Sequence, residues 1–331
     1  MEIKTIISKL VEKKDLTLLE AETLMEEIVR GEVPFSQIAS ILTALHMKGE
    51  STQEILGFIK VLRKHMVTVK TDGVVIDTCG TGGDGSGTFN ISTVVAFVVA
   101  GAGVAVAKHG NRSASSLCGS ADVLEALGVN INRTPEQAEK LLQETNFTFL
   151  FAPLYHPAMK HVVPVRKELG IRTVFNFLGP FLNPASVKKQ IVGVPNKNVA
   201  EKLANVAMYM DYEHLLIVTS SDGLDEIGTY GQTYGYEICG KTIKKIIINP
   251  QTFGIPKSSK RALEGGTASE NAKIILDILR GEKSPKRDIV ILNSAFALCI
   301  SGKVGTVDDG IRLASQSIDL GKAKEVLEES I

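Results

Sequence analysis

Apolar residues recur at helical spacing through the first 66 positions, and in short β-branched runs after that. In the opening segment Phe35, Ile38, Ile41, Leu42 and Leu45 fall on one face of a 3.6-residue repeat. Thr17-Leu-Leu-Glu20 and Ser51-Thr-Gln-Glu54 each fit a capping box, in which side chains satisfy the unpaired N–H groups at a helix start. Four short amphipathic helices are predicted here, ending near Val67 to Gly73. Beyond them, Val74–Thr78, Val104–Ala107, Phe149–Ala152, Gln190–Val194, Leu215–Thr219 and Ile243–Ile248 read as strands.

Ser92–Ala102 and Val199–Met210 read as helices between those strands. Thr134-Pro135-Glu-Gln137 starts another, with proline at its first position, and the chain from Ala268 onward looks helical. Strands alternating with helices imply a mainly parallel sheet covered on both faces. The predicted fold class is α/β. A small N-terminal helical domain spans residues 1–70, with a segment near 160–183 as a candidate addition. A larger α/β domain, residues 71–331, carries a mainly parallel central sheet flanked by helices.

Composition narrows the functional class. The 331 residues carry 37 Lys+Arg against 37 Asp+Glu, a balance that argues against a non-specific nucleic-acid binder while leaving room for a local basic pocket. Hydrophobic residues at 44% and charged residues at 22% exclude a disordered or collagenous chain. The longest uncharged apolar run, Val94–Ala107, is too short to span a membrane and is broken by Gly101 and Gly103. Met1-Glu2-Ile3-Lys4 lacks the features of a signal peptide, and Cys79, Cys118, Cys239 and Cys299 form no CxxC pair. A reduced, cytoplasmic setting is expected.

The glycine excess is concentrated at residues 80–88, Gly-Thr-Gly-Gly-Asp-Gly-Ser-Gly-Thr. Gly80, Gly82 and Gly85 satisfy G-x-G-x-x-G, but the next strand ends in Lys108-His109 where a dinucleotide site wants an acid. No Gly-Lys-Ser/Thr follows, so a P-loop is excluded as well. Glycines still let a backbone approach an anion and aim successive N–H groups at it. The following helix opens at Asn90-Ile91-Ser92-Thr93, and helix N-termini favour anions. No carboxylate occurs from Gly85 to Ala121, where Lys108 and Arg112 are the only formal charges. The site reads as kept free for an external anion.

A second loop, Lys108-His109-Gly110-Asn111-Arg112-Ser113-Ala114-Ser115-Ser116, follows the neighbouring strand and should converge on the same crevice. Each loop alone could be an ordinary turn; together they favour phosphate. Asp225 and Glu226 follow the Leu215–Thr219 strand at the same sheet end. Adjacent carboxylates are usually solvated surface, but a pair facing a phosphate-bearing ligand would suit Mg2+, which prefers a few carboxylates plus substrate phosphates to a full protein cage. His46, His65 and His214 read as structural, whereas His109 and His156 lie on candidate pocket loops without a catalytic partner.

Gly80-Thr-Gly-Gly-Asp84, Asn90-Ile-Ser-Thr93 and Lys108-His-Gly-Asn-Arg-Ser113 resemble the signature of the anthranilate phosphoribosyltransferases. Cys118-Gly-Ser-Ala-Asp122, Arg166 in Val-Arg-Lys-Glu-Leu-Gly, Asn176-Phe-Leu-Gly-Pro180 and Asp222-Gly-Leu-Asp-Glu226 follow in the expected order, so the likeness covers nearly the whole chain. The related pyrimidine nucleoside phosphorylases share the Lys-His-Gly motif but not the complete Gly-Thr-Gly-Gly-Asp. The resemblance implies a pentosyl transfer, the second step from chorismate to tryptophan. The phosphoribosyl group of 5-phospho-α-D-ribose 1-diphosphate (PRPP) moves to the amino group of anthranilate, releasing diphosphate.

The implied PRPP contacts are Gly80, Gly83, Asp84, Thr88, Asn90, Ile91, Ser92, Thr93, the nine residues from Lys108 to Ser116, and Ser120. Gly80, Asn111 and Arg166 are implied for anthranilate, Arg166 because its planar fork matches a carboxylate. Ser92, Asp225 and Glu226 are implied to hold Mg2+. No acid or base is assigned; Lys108 and Asn111 position the substrate and stabilise the leaving group. One position departs from the family pattern, because Ile227 is followed by Gly228 where a hydroxyl residue is expected. A homodimer through the helical domain is also implied, with no nucleic-acid or membrane partner. A nucleoside phosphorylase and a non-catalytic phosphate- or nucleic-acid-binding relative of the same fold are the alternatives.

Overall fold

The computed structural model describes residues 2–113 and 117–331. Four helices come first: α1 (Ile3–Val11), α2 (Leu18–Val29), α3 (Phe35–Lys48) and α4 (Thr52–His65). Both expected capping boxes form. Glu20 N donates to Thr17 Oγ1 (3.3 Å) and Thr17 N to Glu20 Oε2 (2.7 Å); Ser51 and Glu54 repeat the exchange at α4. Glu54 is fully buried and also accepts from Leu16 N and Lys48 Nζ (2.9 Å each), so one cap ties α4 to the turn before α2 and to the end of α3.

Then follow β1 (Val75–Gly80), α5 (Ile91–Gly101), β2 (Ala105–Gly110), α6 (Ser120–Ala126), α7 (Pro135–Thr145) and β3 (Phe147–Phe151). The short helices α8 (Ala152–Tyr155), α9 (Val163–Leu169) and α10 (Phe175–Leu178) lead to β4 (Lys189–Gly193), α11 (Lys197–Ala207) and β5 (His214–Ser220). The chain ends with β6 (Thr233–Cys239), β7 (Thr242–Ile248), α12 (Ala268–Leu279), α13 (Pro285–Ser301), α14 (Val307–Asp319) and α15 (Lys322–Glu329).

The seven strands form one sheet in the order β3-β2-β1-β4-β5-β6-β7. The first five are parallel, as expected, and β6 and β7 extend the sheet antiparallel. β6 is a strand the sequence pattern does not reveal. Gly235 interrupts its apolar run, and glycine weakens a strand signal. It is needed there because a Cβ would overlap the Ile217 carbonyl on β5.

Alternate residues of the central strands serve opposite faces. Ile191, Leu216 and Val218 join α5, α6 and α12 to α15 in one buried cluster, while Val192, Leu215 and Ile217 join α11 in the other. That second cluster also holds α1 to α4 together with Val162, Val165, Phe175, Leu178 and Phe181. Arg63 Nε on α4 donates to Phe181 O (2.7 Å), fastening the helices to this segment. No helix among the described residues is long and apolar enough to cross a membrane.

Candidate active site

β1 and β4 lie side by side at the centre of the sheet, but the chain runs outward from β1 to β2 and returns on the other side as β4. The crevice beyond their carboxyl ends is the switch point at which open α/β sheets bind ligands. The chain leaves β1 through Thr81, whose N–H donates to Gly193 O (2.9 Å) at the end of β4. The loop after β5 lies across both ends, and Asp225 Oδ2 accepts from Gly82 N (3.0 Å). This closeness dictates two glycines: a Cβ on Gly80 would overlap the Asp225 carboxylate, and one on Gly193 the Asp225 carbonyl. Gly82, Gly83, Gly85 and Gly87 all take positive φ, from +67° to +73°, turning the loop as no run of L-residues would.

Three acids converge on this loop. Asp225 is pushed up to about 7, first by burial and then by the neighbouring Asp84 carboxylate. Burial and Asp225 push Glu226 well above the usual carboxylate range. Asp84 Oδ1 accepts from Ser86 N (3.2 Å), while its Oδ2 is buried without a hydrogen-bond partner. Mutually repelling acids with an orphaned oxygen are what a divalent cation satisfies, so the donor set fits Mg2+. Asp84 adds a third carboxylate to the expected pair.

Lys108 falls in the closing half of β2, in keeping with a strand that ends in Lys108-His109, and only its grouping with the loop residues is corrected. It sits inside β2 rather than in the loop, 2% exposed, and donates to Thr78 O (2.7 Å) and Ser92 Oγ (3.1 Å). β2 continues through Gly110 because Lys108, His109 and Gly110 pair with Phe149, Leu150 and Phe151. The buried ammonium survives there because it has acceptors and nearby acids; its charge favours ionised Glu226 and Asp77. The start of α5 carries no acid in its first turn, as the sequence implies, and no side-chain cap, and the Ser92 backbone favours ionised Glu226.

Other expected PRPP residues are placed as follows. The side chains of Ile91 and Thr93 are buried, leaving only backbone to meet a ligand. Asn90 does not cap α5 with its side chain; its Nδ2 donates to Cys118 O (3.2 Å) and its Oδ1 accepts from Asn271 Nδ2 (2.9 Å). Thr88 bridges to Glu264 and shares a hydrogen bond with Ser86 Oγ (3.2 Å).

The second loop is tied to its own helix. Arg112 Nη1 contacts Asp122 Oδ1 (2.9 Å) and Glu125 Oε2 (2.6 Å) on α6, so it is not the unpaired cation the sequence implied. Asp122 Oδ2 also accepts from Gly119 N (2.8 Å) and Ser113 N (3.2 Å). Asn111 Oδ1 accepts from Arg112 N (2.7 Å), Ser120 Oγ donates to Asn111 O (3.3 Å), and Gly110 leaves no room for a Cβ beside Ser120. Ala114, Ser115 and Ser116 lie outside the described residues. The His109 ring is turned inward: Nδ1 lies 3.2 Å from Gly179 O and Nε2 3.1 Å from His156 Nε2. Burial pushes His109 down to about 3 and His156 to about 4, so this pair is neutral near pH 7.

Arg166 projects from α9 half-buried, its guanidinium 5.5 Å from the Phe175 ring centroid, with no carboxylate partner among the described residues. Burial alone lowers its pKa. Arg172 is a cation the motif reading passed over; its Nη2 lies 2.8 Å from where a Cβ on Gly83 would stand. The only sequence signal was a basic residue two positions after Gly170 in the Arg166 motif. At the departure from the family pattern, Gly228 N donates to Thr233 Oγ1 (3.0 Å), and a Cβ there would crowd Ser220 at 3.1 Å.

Family comparisons agree with this geometry. Residues 4–66 match the glycosyl transferase family helical bundle domain, and residues 72–324 the glycosyl transferase family a/b domain. An anthranilate phosphoribosyltransferase from Methanobrevibacter smithii is 50% identical over 329 residues, covering 99% of this chain and 98% of that one. The crystal structure of the Thermus thermophilus anthranilate phosphoribosyltransferase superposes with a TM-score of 0.91 at 38% identity, covering 97% of each chain. The Saccharomyces cerevisiae enzyme in complex with PRPP and Mg gives 0.90 at 30% identity, covering 99% of this chain and 96% of that one. With both of its parts and its whole length matched, the chain belongs to the anthranilate phosphoribosyltransferase family.

Proposed function

We propose that the chain transfers the phosphoribosyl group of PRPP to the amino group of anthranilate, giving N-(5-phosphoribosyl)anthranilate and diphosphate. The observation that carries this reading is the meeting of a left-handed glycine loop with Asp84, Asp225 and Glu226 at one sheet end. The anomeric C–O bond breaks, the amine forms the C–N bond, and the extra amine proton passes to solvent. Mg2+, when bound, neutralises the diphosphate leaving group; Asp84, Asp225, Glu226 and Ser92 are the residues that would hold it. Backbone N–H groups of the glycine loop receive the diphosphate oxygens. Lys108 orients the Ser92 hydroxyl and favours the ionised form of Glu226.

Arg166 receives the anthranilate carboxylate, since a half-buried guanidinium with no acid beside it among the described residues is poised for a bidentate partner. It comes from the segment packed with the helical layer, whereas the phosphate loops come from the sheet, so the two substrates meet between them. No side-chain base is required, because the neutral aromatic amine already carries its lone pair. Val11, Leu19, Phe35 and Met47 on the helical layer are more than half exposed, and a homodimer in the cytoplasm that covers such a face completes the reading.

The test compares diphosphate release from PRPP plus anthranilate with phosphorolysis of thymidine or uridine. Turnover only with anthranilate and Mg2+ is expected. The double variant Asp225→Asn/Glu226→Gln should stay folded and lose Mg2+-dependent turnover; parent-like activity in it would overturn the assignment of the acids.

A further inference from the structure

The opposite end of β5 carries a second cluster of ligating groups. β5 and β6 pair antiparallel with Leu215 opposite Ile238, so the next rung sets His214 across from Cys239. Glu237 precedes Cys239 by two residues and therefore shares its face of the sheet. His214 Nε2 lies 2.9 Å from Glu237 Oε1, and one ligand atom from each of His214, Glu237 and Cys239 lies within 4.8 Å of the other two. His214 and Glu237 are half-buried and Cys239 is exposed. Six residue-to-residue steps of strand, about 20 Å, separate His214 from Ser220, where the chain turns toward Asp225.

We propose that His214, Glu237 and Cys239 bind a thiophilic divalent cation, zinc by preference, at a site separate from the Mg2+ acids. The donor set decides the ion. Imidazole and thiolate select zinc over magnesium, which takes oxygen ligands. A thiolate and a carboxylate together cancel the charge of a dication. Three protein ligands leave a fourth tetrahedral position for water on the exposed side of Cys239. Tetrahedral ligation sets the three atoms roughly 3.5 Å apart, so a bound ion would adjust a cluster that already lies within 4.8 Å.

Metal binding must displace the thiol proton, because burial and Glu237 hold the Cys239 pKa above its ordinary value. Lys244 stands opposite Glu237 on β7, exposed, as the one competing cation in the β6–β7 register at that rung. The bound ion staples β5 to β6, the point where the sheet changes from parallel to antiparallel.

The test is a Co2+ and Zn2+ titration of the full chain with Mg2+ in excess to occupy the crevice acids. The parent should show a thiolate-to-cobalt charge-transfer band, retain one equivalent of zinc on dialysis, and gain thermal stability with zinc. Cys239→Ser, whose side chain is exposed and whose metal-free melting should match the parent, loses the band and the retained zinc. His214→Gln, which removes one of the three ligands, no longer retains zinc on dialysis. Asp225→Asn/Glu226→Gln keeps the band. Absence of the band in the parent, its persistence in Cys239→Ser, or its loss in the Asp225/Glu226 double variant would each overturn the proposal.

Discussion

The loops after β1 and β2 leave neighbouring strands at the same end of the sheet, yet they are built on opposite principles. The first relies on backbone: four glycines with positive φ, anchored by Gly82 N on Asp225 and Thr81 N on Gly193. The second relies on side chains, with Arg112 and the N–H groups of Ser113 and Gly119 all engaged by acids of α6. Because Thr81 N and Gly82 N serve as the anchors, the other N–H groups of the curl can meet an anion while those two contacts hold, which is the advantage of preorganisation. A guanidinium held by two carboxylates must break those contacts before it can serve a phosphate. On the proposed function, the first loop would serve as a preformed cradle, and the second as a reserve that the ligand releases.

The sharpest way to break this contrast is to put a methyl group on the first loop. Gly83→Ala forces an L-residue to φ +73° and pushes its Cβ against Arg172. Stability should fall by ~1–2 kcal/mol, within what a domain tolerates. PRPP affinity, measured calorimetrically with Mg2+, should fall on the order of a hundredfold. Gly128→Ala is the control: φ is +88°, and its Cβ meets only Ile331 at 3.5 Å, so stability drops while affinity holds. Equal PRPP affinities for the two variants would make the first loop a structural turn.

The same contrast explains what could be read from sequence. The four helices and five parallel strands were legible because capping boxes and β-branched runs are local patterns. The glycine loop and Asp225-Glu226 were legible because their residue types are restricted by conformation and charge. Lys108 was misplaced because a charged residue at a strand end looks like loop, and only the tertiary acceptors Thr78 O and Ser92 Oγ let it stay in β2. Arg112 looked free because its acids begin at Asp122, just beyond the acid-free stretch. The His109–His156 contact joins residues 47 apart in sequence, and no periodicity encodes it.

Arginine gives the next comparison, one guanidinium paired with acids and one without a carboxylate partner among the described residues. If Arg166 receives the anthranilate carboxylate as proposed, Arg166→Ala should raise the Michaelis constant for anthranilate ~10–100-fold with little change for PRPP. Arg112→Ala should act on PRPP and spare anthranilate. If Arg166→Ala impaired both substrates equally, Arg166 would serve the packing against Phe175 instead.

The root of the second loop should respond to acid. His109 and His156 titrate near 3 and 4 when folded but near 6.5 when unfolded. Between those values the unfolded chain binds more protons, so stability present above pH 6.5 is lost as pH falls toward 4. Thermal melts from pH 7.5 to 4.5 should show this decline, and His156→Gln should flatten it by about one proton. An unchanged slope in that variant would mean that His156 is already charged in the fold.

The smallest expected effect tests the reserve itself. Glu125 Oε2 is 2.6 Å from Arg112 Nη1, with the two side chains 39% and 48% exposed, so the pair is a surface ion pair in water rather than a buried one. Such pairs contribute ~0.2–1 kcal/mol. Glu125→Gln removes that hold while keeping shape, and it leaves Asp122 to accept from Ser113, Gly119 and Arg112. If Arg112 must leave α6 to meet the phosphates, the variant should bind PRPP up to about fivefold more tightly than the parent. The gain should shrink as salt is added, because salt already screens the contact that was removed. In an Arg112→Ala background the same change should do nothing, which separates release of Arg112 from a general shift in pocket charge. A tightening that persisted without Arg112 would show that Glu125 repels the ligand directly, and the second loop would then hold no reserve.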